Sequence, residues 1–208
     1  MSSLVNRRSV MTLYADAADP IGHAVRIVLA EKDVNVEVAF VTDETKPEDL
    51  HDLNPYHALL TLIDRDLVLY DAQVMLEYLD ERYPHPPLMP VDPVSRANNR
   101  QIRARLTRDL LSLAERVAGT DAGLADEARR AIGDNLHAIS PALAQRAYFL
   151  SDEYSLVDCC LAPLLWRLPS YGIKLMPQAK PLLRYAEVLF SREAFRASLS
   201  PAERTMRN

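Results

Sequence analysis

Cysteine is nearly missing from this chain: 208 residues hold only Cys159 and Cys160, side by side. Neighbouring residues on a helix point in different directions, so the pair is a poor disulfide framework and a reducing cytoplasm is the expected home. Core packing is the expected role of both thiols. Glycine is scarce too, and the five present include no Gly-rich phosphate loop. Positive charge is not in excess. The formal net charge is −5, which argues against the basic footprint of a nucleic-acid binder. No window reaches the ~18 uncharged apolar residues of a membrane span. The opening Met1-Ser2-Ser3-Leu4-Val5-Asn6-Arg7-Arg8 has no apolar core ahead of its charges, so no signal peptide is expected. Five histidines, His23, His51, His57, His85 and His137, lie scattered without metal-ligand spacing.

Proline is present and unevenly spread. Five of the 14 prolines fall in Pro84–Pro93, within Tyr83-Pro84-His85-Pro86-Pro87-Leu88-Met89-Pro90-Val91-Asp92-Pro93. Proline fixes φ, removes a backbone donor and pushes its predecessor towards extended geometry. The run is therefore a stiff, extended connector, expected as a hinge line between two domains.

Before it, the pattern mixes strands and helices. Met11–Tyr14 is a short strand, and Ile21, Val25, Val28 and Leu29 share one helix face. Val34–Val41 alternates as a second strand, and a short helix over 47–53 stops at Asn54-Pro55. Leu59–Ile63 and Leu67–Tyr70 read as a hairpin turned by Asp64-Arg65-Asp66. Asp71 caps a further helix with an inner face of Val74, Met75, Tyr78 and Leu79. After the run the period is helical throughout: a long helix through Ile102–Val117, then one over 124–143 bent at Pro141. Ser155-Leu156-Val157-Asp158 has the form of a capping box opening an apolar, central helix. Helices through Leu182–Phe190 and Glu193–Leu199 follow.

This order resembles the cytosolic glutathione transferase superfamily. Within it, Glu77-Tyr78-Leu79-Asp80-Glu81-Arg82, Pro84-His85-Pro86-Pro87-Leu88-Met89-Pro90, Phe149–Glu153 and Ser155–Pro169 resemble the stringent starvation protein A family, bacterial proteins that associate with RNA polymerase. The resemblance implies a thioredoxin-like α/β domain over 1–84 (βαβ-α-ββα, mixed four-stranded sheet), a connector over 85–93, and an all-α domain over 94–208. It implies a partner surface at Pro84, His85, Pro86, Pro87, Leu88 and Met89, and RNA polymerase holoenzyme or its sigma factor as partner. The alternative for the connector is that it merely packs the domains together. The family usually has an aromatic residue where Asp92 stands.

The superfamily's glutathione site is degenerate here. The loop Ala15–His23 offers no Ser, Thr or Cys to stabilise a thiolate, and Asp19 lies where the helix dipole acts. Tyr14 is the one nearby hydroxyl, with packing the favoured role; His23 is expected at a helix end, facing solvent or a partner. Leu59-Leu60 replaces the superfamily's cis-proline pair and is expected trans, because a non-proline cis bond costs about 2.5–4 kcal/mol. Asp71-Ala72 replaces its Glu-Ser, losing a hydroxyl. Together these departures predict a divergent member with no cofactor and weak or absent glutathione binding. The competing function is a glutathione transferase-like enzyme acting on small electrophiles or thiols. Arg96, Arg100 and Arg103 share a helix face at i, i+4, i+7. They could form a solvated face, meet acidic surface on the polymerase, or pair with Glu77, Asp80 and Glu81 across a homodimer, or a heterodimer with a related subunit. No membrane or sequence-specific nucleic-acid partner is expected.

Overall fold

The computed structural model describes residues 10–56 and 58–207. The segment Met1–Arg8 and His57, both read above, lie outside them. In the first half, β1 (Met11–Ala15), α1 (Pro20–Glu31), β2 (Val36–Phe40), α2 (Glu48–Leu53), β3 (Thr61–Asp64), β4 (Leu67–Leu69) and α3 (Ala72–Arg82) form the expected βαβ-α-ββα order. The sheet runs β2-β1-β3-β4, with β1 parallel to β2 and antiparallel to β3. That mixture follows from the connections. The α1 crossover makes β1 and β2 parallel, while a two-residue turn, Arg65-Asp66, with Arg65 at positive φ lets β4 return antiparallel to β3.

The second half is helical. It contains α4 (Pro93–Leu106), a π-helical turn (Thr107–Leu111), α5 (Ser112–Ala118), α6 (Ala122–Ile139), a 3-10 turn (Ser140–Ala144), α7 (Leu156–Arg167), α8 (Lys180–Ser191), α9 (Glu193–Ser198) and α10 (Pro201–Arg204). The long helix through Val117 is thus one rod with a widened turn, and the bend at Pro141 is a change to 3-10 geometry. The α10 turn went unread in the sequence, because four residues carry no periodicity.

The capping box forms as its spacing implies. Ser155 Oγ accepts from Val157 N, while Asp158 Oδ2 accepts from Ser155 N at 2.8 Å. Asp158 Oδ1 also accepts from Phe149 N and the Tyr185 hydroxyl, tying α7 to the preceding loop and to α8. Every residue of α7 from Leu156 to Leu165 is buried.

One apolar core runs from Met11 in β1 to Phe195 in α9, with Leu88 and Met89 of the connector inside it. The connector thus lends two side chains to the interior. Helix α1 is buried over Pro20–Leu29, save Ile21, because the sheet covers one side and α7 and α9 cover the other. The inner face of α3 is also rotated from expectation. Met75, Leu76, Leu79 and Asp80 are buried, whereas Val74 is 51% exposed. The shift brings Asp80 inward, where it meets a lysine.

Candidate functional site

The connector is pinned at three backbone points. Lys32, the residue that ends α1, has no side-chain exposure and donates from Nζ to Asp80 Oδ1 at 2.6 Å and to the Pro86 carbonyl. The same Asp80 oxygen accepts from Leu88 N at 2.8 Å. Leu88 O accepts from Leu156 N, the first amide of α7, at 2.9 Å. A proline run has few amides with which to fold itself. Here the Pro86 carbonyl and both backbone groups of Leu88 are taken by a buried ion pair and by a helix N-terminus.

This pinning divides the six connector residues named above. Pro84, His85, Pro86 and Pro87 stand exposed, with a cis bond between His85 and Pro86. Leu88 and Met89 point inward at 2% and 6% exposure, so they anchor the loop and present no surface. Past Met89, a groove of about 850 Å³ opens between the connector, α4 and the 149–157 loop, lined by Pro90, Val91, Asp92, Ile102, Phe149 and Leu150. Val91 is 93% exposed at its rim. Asp92 has a local physical role: its Oδ1 accepts from Ser95 N at 2.8 Å and caps α4.

The arginine stripe is spoken for within the chain. Arg100 makes a two-pronged bond to Glu77, Arg103 reaches Glu77, Gln73 and Asn99, and Arg96 lies 3.5 Å from Glu81. Arg103 is 1% exposed. Arg103 is therefore not on a solvated face, while Arg96 and Arg100 stay partly exposed and are paired with carboxylates of α3 in the same chain. Asp80 is absent from this set, being committed to Lys32. Arg100, then Arg103, hold the Glu77 carboxyl down at about 2.

At the cleft beside the start of α1, Asp19 caps the helix, accepting from Ile21 N at 3.1 Å and Gly22 N at 2.6 Å. Burial nonetheless lifts its carboxyl above the ordinary value. The amides that would face an anion are thus occupied by the chain's own carboxylate. A Cβ placed on Gly22 would meet Ala15 Cβ at 3.1 Å, Asp19 Oδ2 at 3.2 Å and Leu60 Cδ1 at 3.7 Å. Leu60 therefore closes over the helix start, and Leu59-Leu60 is trans. Asp71 accepts from Val74 N as the cap of α3, and Ala72 follows with no polar atom. Tyr14 is 3% exposed within β1.

His23 does not face solvent. It is fully buried, because α1 is covered on the side where α7 and α9 pack. Its Nδ1 accepts from Arg167 Nη1 at 3.1 Å, so Nε2 carries the proton and donates to Ser198 Oγ at 2.9 Å. Burial, then Arg167 and Arg26, push its pKa well down, so the imidazole is neutral. Glu203 of α10 accepts from Arg26 and Arg167, closing a buried cluster of α1, α7 and α10. Arg167 Nε also donates to Ala18 O, and Ser200 Oγ donates to Ala17 O at 2.6 Å. The β1–α1 loop is thus filled from behind by the last helices. Sequence reading passed over Lys32, Arg26, Arg167 and Glu203; the available signal was a lone charge within an apolar run, as at Arg26 and Arg167.

Comparison with known proteins fits this geometry. The family models for the glutathione S-transferase N-terminal domain and C-terminal domain match residues 20–82 and 94–193. A stringent starvation protein A homolog of Coxiella burnetii is 44% identical over 202 residues, 97% of each chain. One of Pasteurella multocida is 46% identical over 201 residues, covering 96% of this chain and 94% of that one. The chain belongs to the stringent starvation protein A family. Like other members of the superfamily, this chain has the transferase fold. A rice glutathione transferase solved with glutathione superposes with a TM-score of 0.83 at 22% identity, covering 96% of both chains. Ure2p in complex with glutathione superposes at 0.82 with 16% identity, covering 91% of this chain and 92% of that one. At such identities the likeness is one of fold.

Among the described residues no helix is long and apolar enough to cross a membrane, and no three His, Cys, Asp or Glu side chains gather as a metal set.

Proposed function

We propose that this protein is a non-catalytic regulator of transcription that binds RNA polymerase holoenzyme through the exposed Pro84-His85-Pro86-Pro87 surface. The observation that carries this reading is the pinning of that surface by Lys32 at the Pro86 carbonyl and, just past it, by Asp80 and Leu156 at Leu88. A loop held at three backbone atoms loses less conformational freedom when a partner docks, which is where association usually loses free energy. Four exposed residues with one imidazole among prolines give shape and a single polar handle. The neighbouring groove past Met89 extends the contact area.

The transferase cleft supports the non-catalytic half of the proposal. Asp19 takes the helix amides a thiolate would need, Leu60 closes the helix start, and Ala72 offers no hydroxyl. The residues present do not fit glutathione. The protein acts as a cytoplasmic dimer. Exposed Leu67, Tyr70 and Val74 beside α3 form the apolar face for the second subunit, the Arg–Glu pairs being internal to each.

Pull-down of polymerase by tagged protein tests the reading. Retention should fall at least about tenfold, or 1.4 kcal/mol, in His85→Ala and in Pro86→Ala. Retention unchanged in both removes the connector from the mechanism. Saturable glutathione binding by calorimetry, with turnover of a generic electrophile, would instead establish the transferase-like enzyme.

A further inference from the structure

Arg26 is the most exposed flaw in the buried charge cluster. Its side chain is 3% exposed, and Glu203 Oε1 accepts from Nη2 at 2.7 Å. Among the described residues no group accepts from its Nε or Nη1. A buried guanidinium with unmet donors is costly, because each donor lost its water without gaining a partner. The charge count points the same way. One carboxylate, Glu203, serves two guanidiniums, Arg26 and Arg167, while His23 is neutral. Asp19 acts on Arg26 only at a distance, its oxygens being spent on Ile21 and Gly22 amides.

Arg26 lines a groove of about 290 Å³ between α1, β2 and α9, walled by Leu29, Val34, Val36, Val38, Phe40 and Leu199. The guanidinium carbon lies 5.0 Å from the centre of the Phe40 ring, and that ring is 41% exposed. The cation thus lies at the groove between Glu203 and the partly exposed Phe40 ring. The groove continues into a larger one lined by Glu31, Asp33 and Glu193, whose one cation, Arg192, is bonded to Glu31. An occupant therefore meets one cation at one end, aliphatic walls along its length, and carboxylates beyond.

We propose that this groove binds a small aliphatic monocarboxylate, its carboxylate on Arg26 and its alkyl chain among Val34, Val36, Val38 and Leu199. A carboxylate is acceptor-only and matches in kind both the unpaired donors, which lie beneath the groove surface, and the missing negative charge. The aliphatic walls reward an alkyl chain by removing apolar surface from water. A second carboxylate would run into Glu31, Asp33 and Glu193, so a dicarboxylate of equal length is rejected.

Nitrogen-15 NMR of the full chain, following arginine Nε–H signals, tests this directly. The Arg26 signal is assigned through its proximity to the Phe40 ring. Sodium hexanoate should shift it saturably, with half-saturation at about 1 mM or below. Adipate, 1-hexanol and inorganic phosphate should each need at least about ten times more. Ala197→Phe, at an exposed position on the groove wall, should abolish the shift while leaving Arg26 and Glu203 in place. The proposal is overturned if hexanoate leaves the Arg26 signal unmoved. It is equally overturned if phosphate or hexanol acts at the same concentration, or if Ala197→Phe binds hexanoate as the wild type does.

Discussion

Asp80→Ala strips two donors of their acceptor at once. Lys32 Nζ, with no side-chain exposure, keeps only the Pro86 carbonyl, and Leu88 N keeps nothing. Removing one partner of a buried ion pair costs about 3–5 kcal/mol, because the other charge stays behind without compensation. Orphaning a buried amide costs about 1–3 kcal/mol. Both donors share one oxygen, so the two costs overlap, and about 4 kcal/mol is the expected loss. For a chain of this size each kcal/mol moves Tm by about 2–4 °C, giving a fall of about 8–16 °C. Urea titration with attention to the m-value measures this. Asp80→Asn separates the components, since it keeps an acceptor for Leu88 N and removes only the charge. The double variant Lys32→Met/Asp80→Leu should recover much of the loss, because no charge is left stranded; coupling of at least about 1 kcal/mol is expected. A loss under about 1 kcal/mol for Asp80→Ala, or a double variant equal to the sum of the singles, refutes the ion pair as the connector's anchor.

Other expectations follow from single side chains. The Glu77 carboxyl is depressed to about 2 from 4.5, so its contribution to stability is full above the unfolded value and drains as pH falls from 4.5 towards 2. Glu77→Gln should flatten that acid limb, read as urea midpoints across this window. Asp158→Ala leaves Ser155 N, Phe149 N and the Tyr185 hydroxyl without their acceptor, and about 3–5 kcal/mol should be lost in the same titration. Ser155→Ala, which loses one cap bond, should cost about 1 kcal/mol. Burial pushes the Cys160 thiol up to about 11 and the Cys159 thiol well above its ordinary value, so a thiol reagent at neutral pH should react only as fast as the chain unfolds. Rapid labelling of the native protein would contradict that burial.

The β1–α1–β2 unit, the hairpin and the α7 capping box were legible because each rests on local chemistry: periodicity, a turn, or a side chain three residues from its partner. Pairings distant in sequence were not. Lys32 and Asp80 are 48 residues apart, and nothing in either neighbourhood announces the other. His23 illustrates the same limit. Its helix face could be read, but its burial depends on Ser198, 175 residues later. The connector's composition marked the segment correctly, yet proline counting could not separate the exposed Pro84–Pro87 from the buried Leu88 and Met89. That division is set by Leu156 and Asp80, not by the run itself.

Glu203 lies 177 residues after Arg26. At a synthesis rate of about 5–20 residues per second, Arg26 waits about 10–35 s for its counter-charge to be made. During that interval the face of α1 that α7 and α9 will cover has no lid, and its one guanidinium has no carboxylate. The first half of this chain therefore emerges from the ribosome unable to complete its own interior. It must be kept from aggregation, by solvation or by a chaperone, until the last helices arrive.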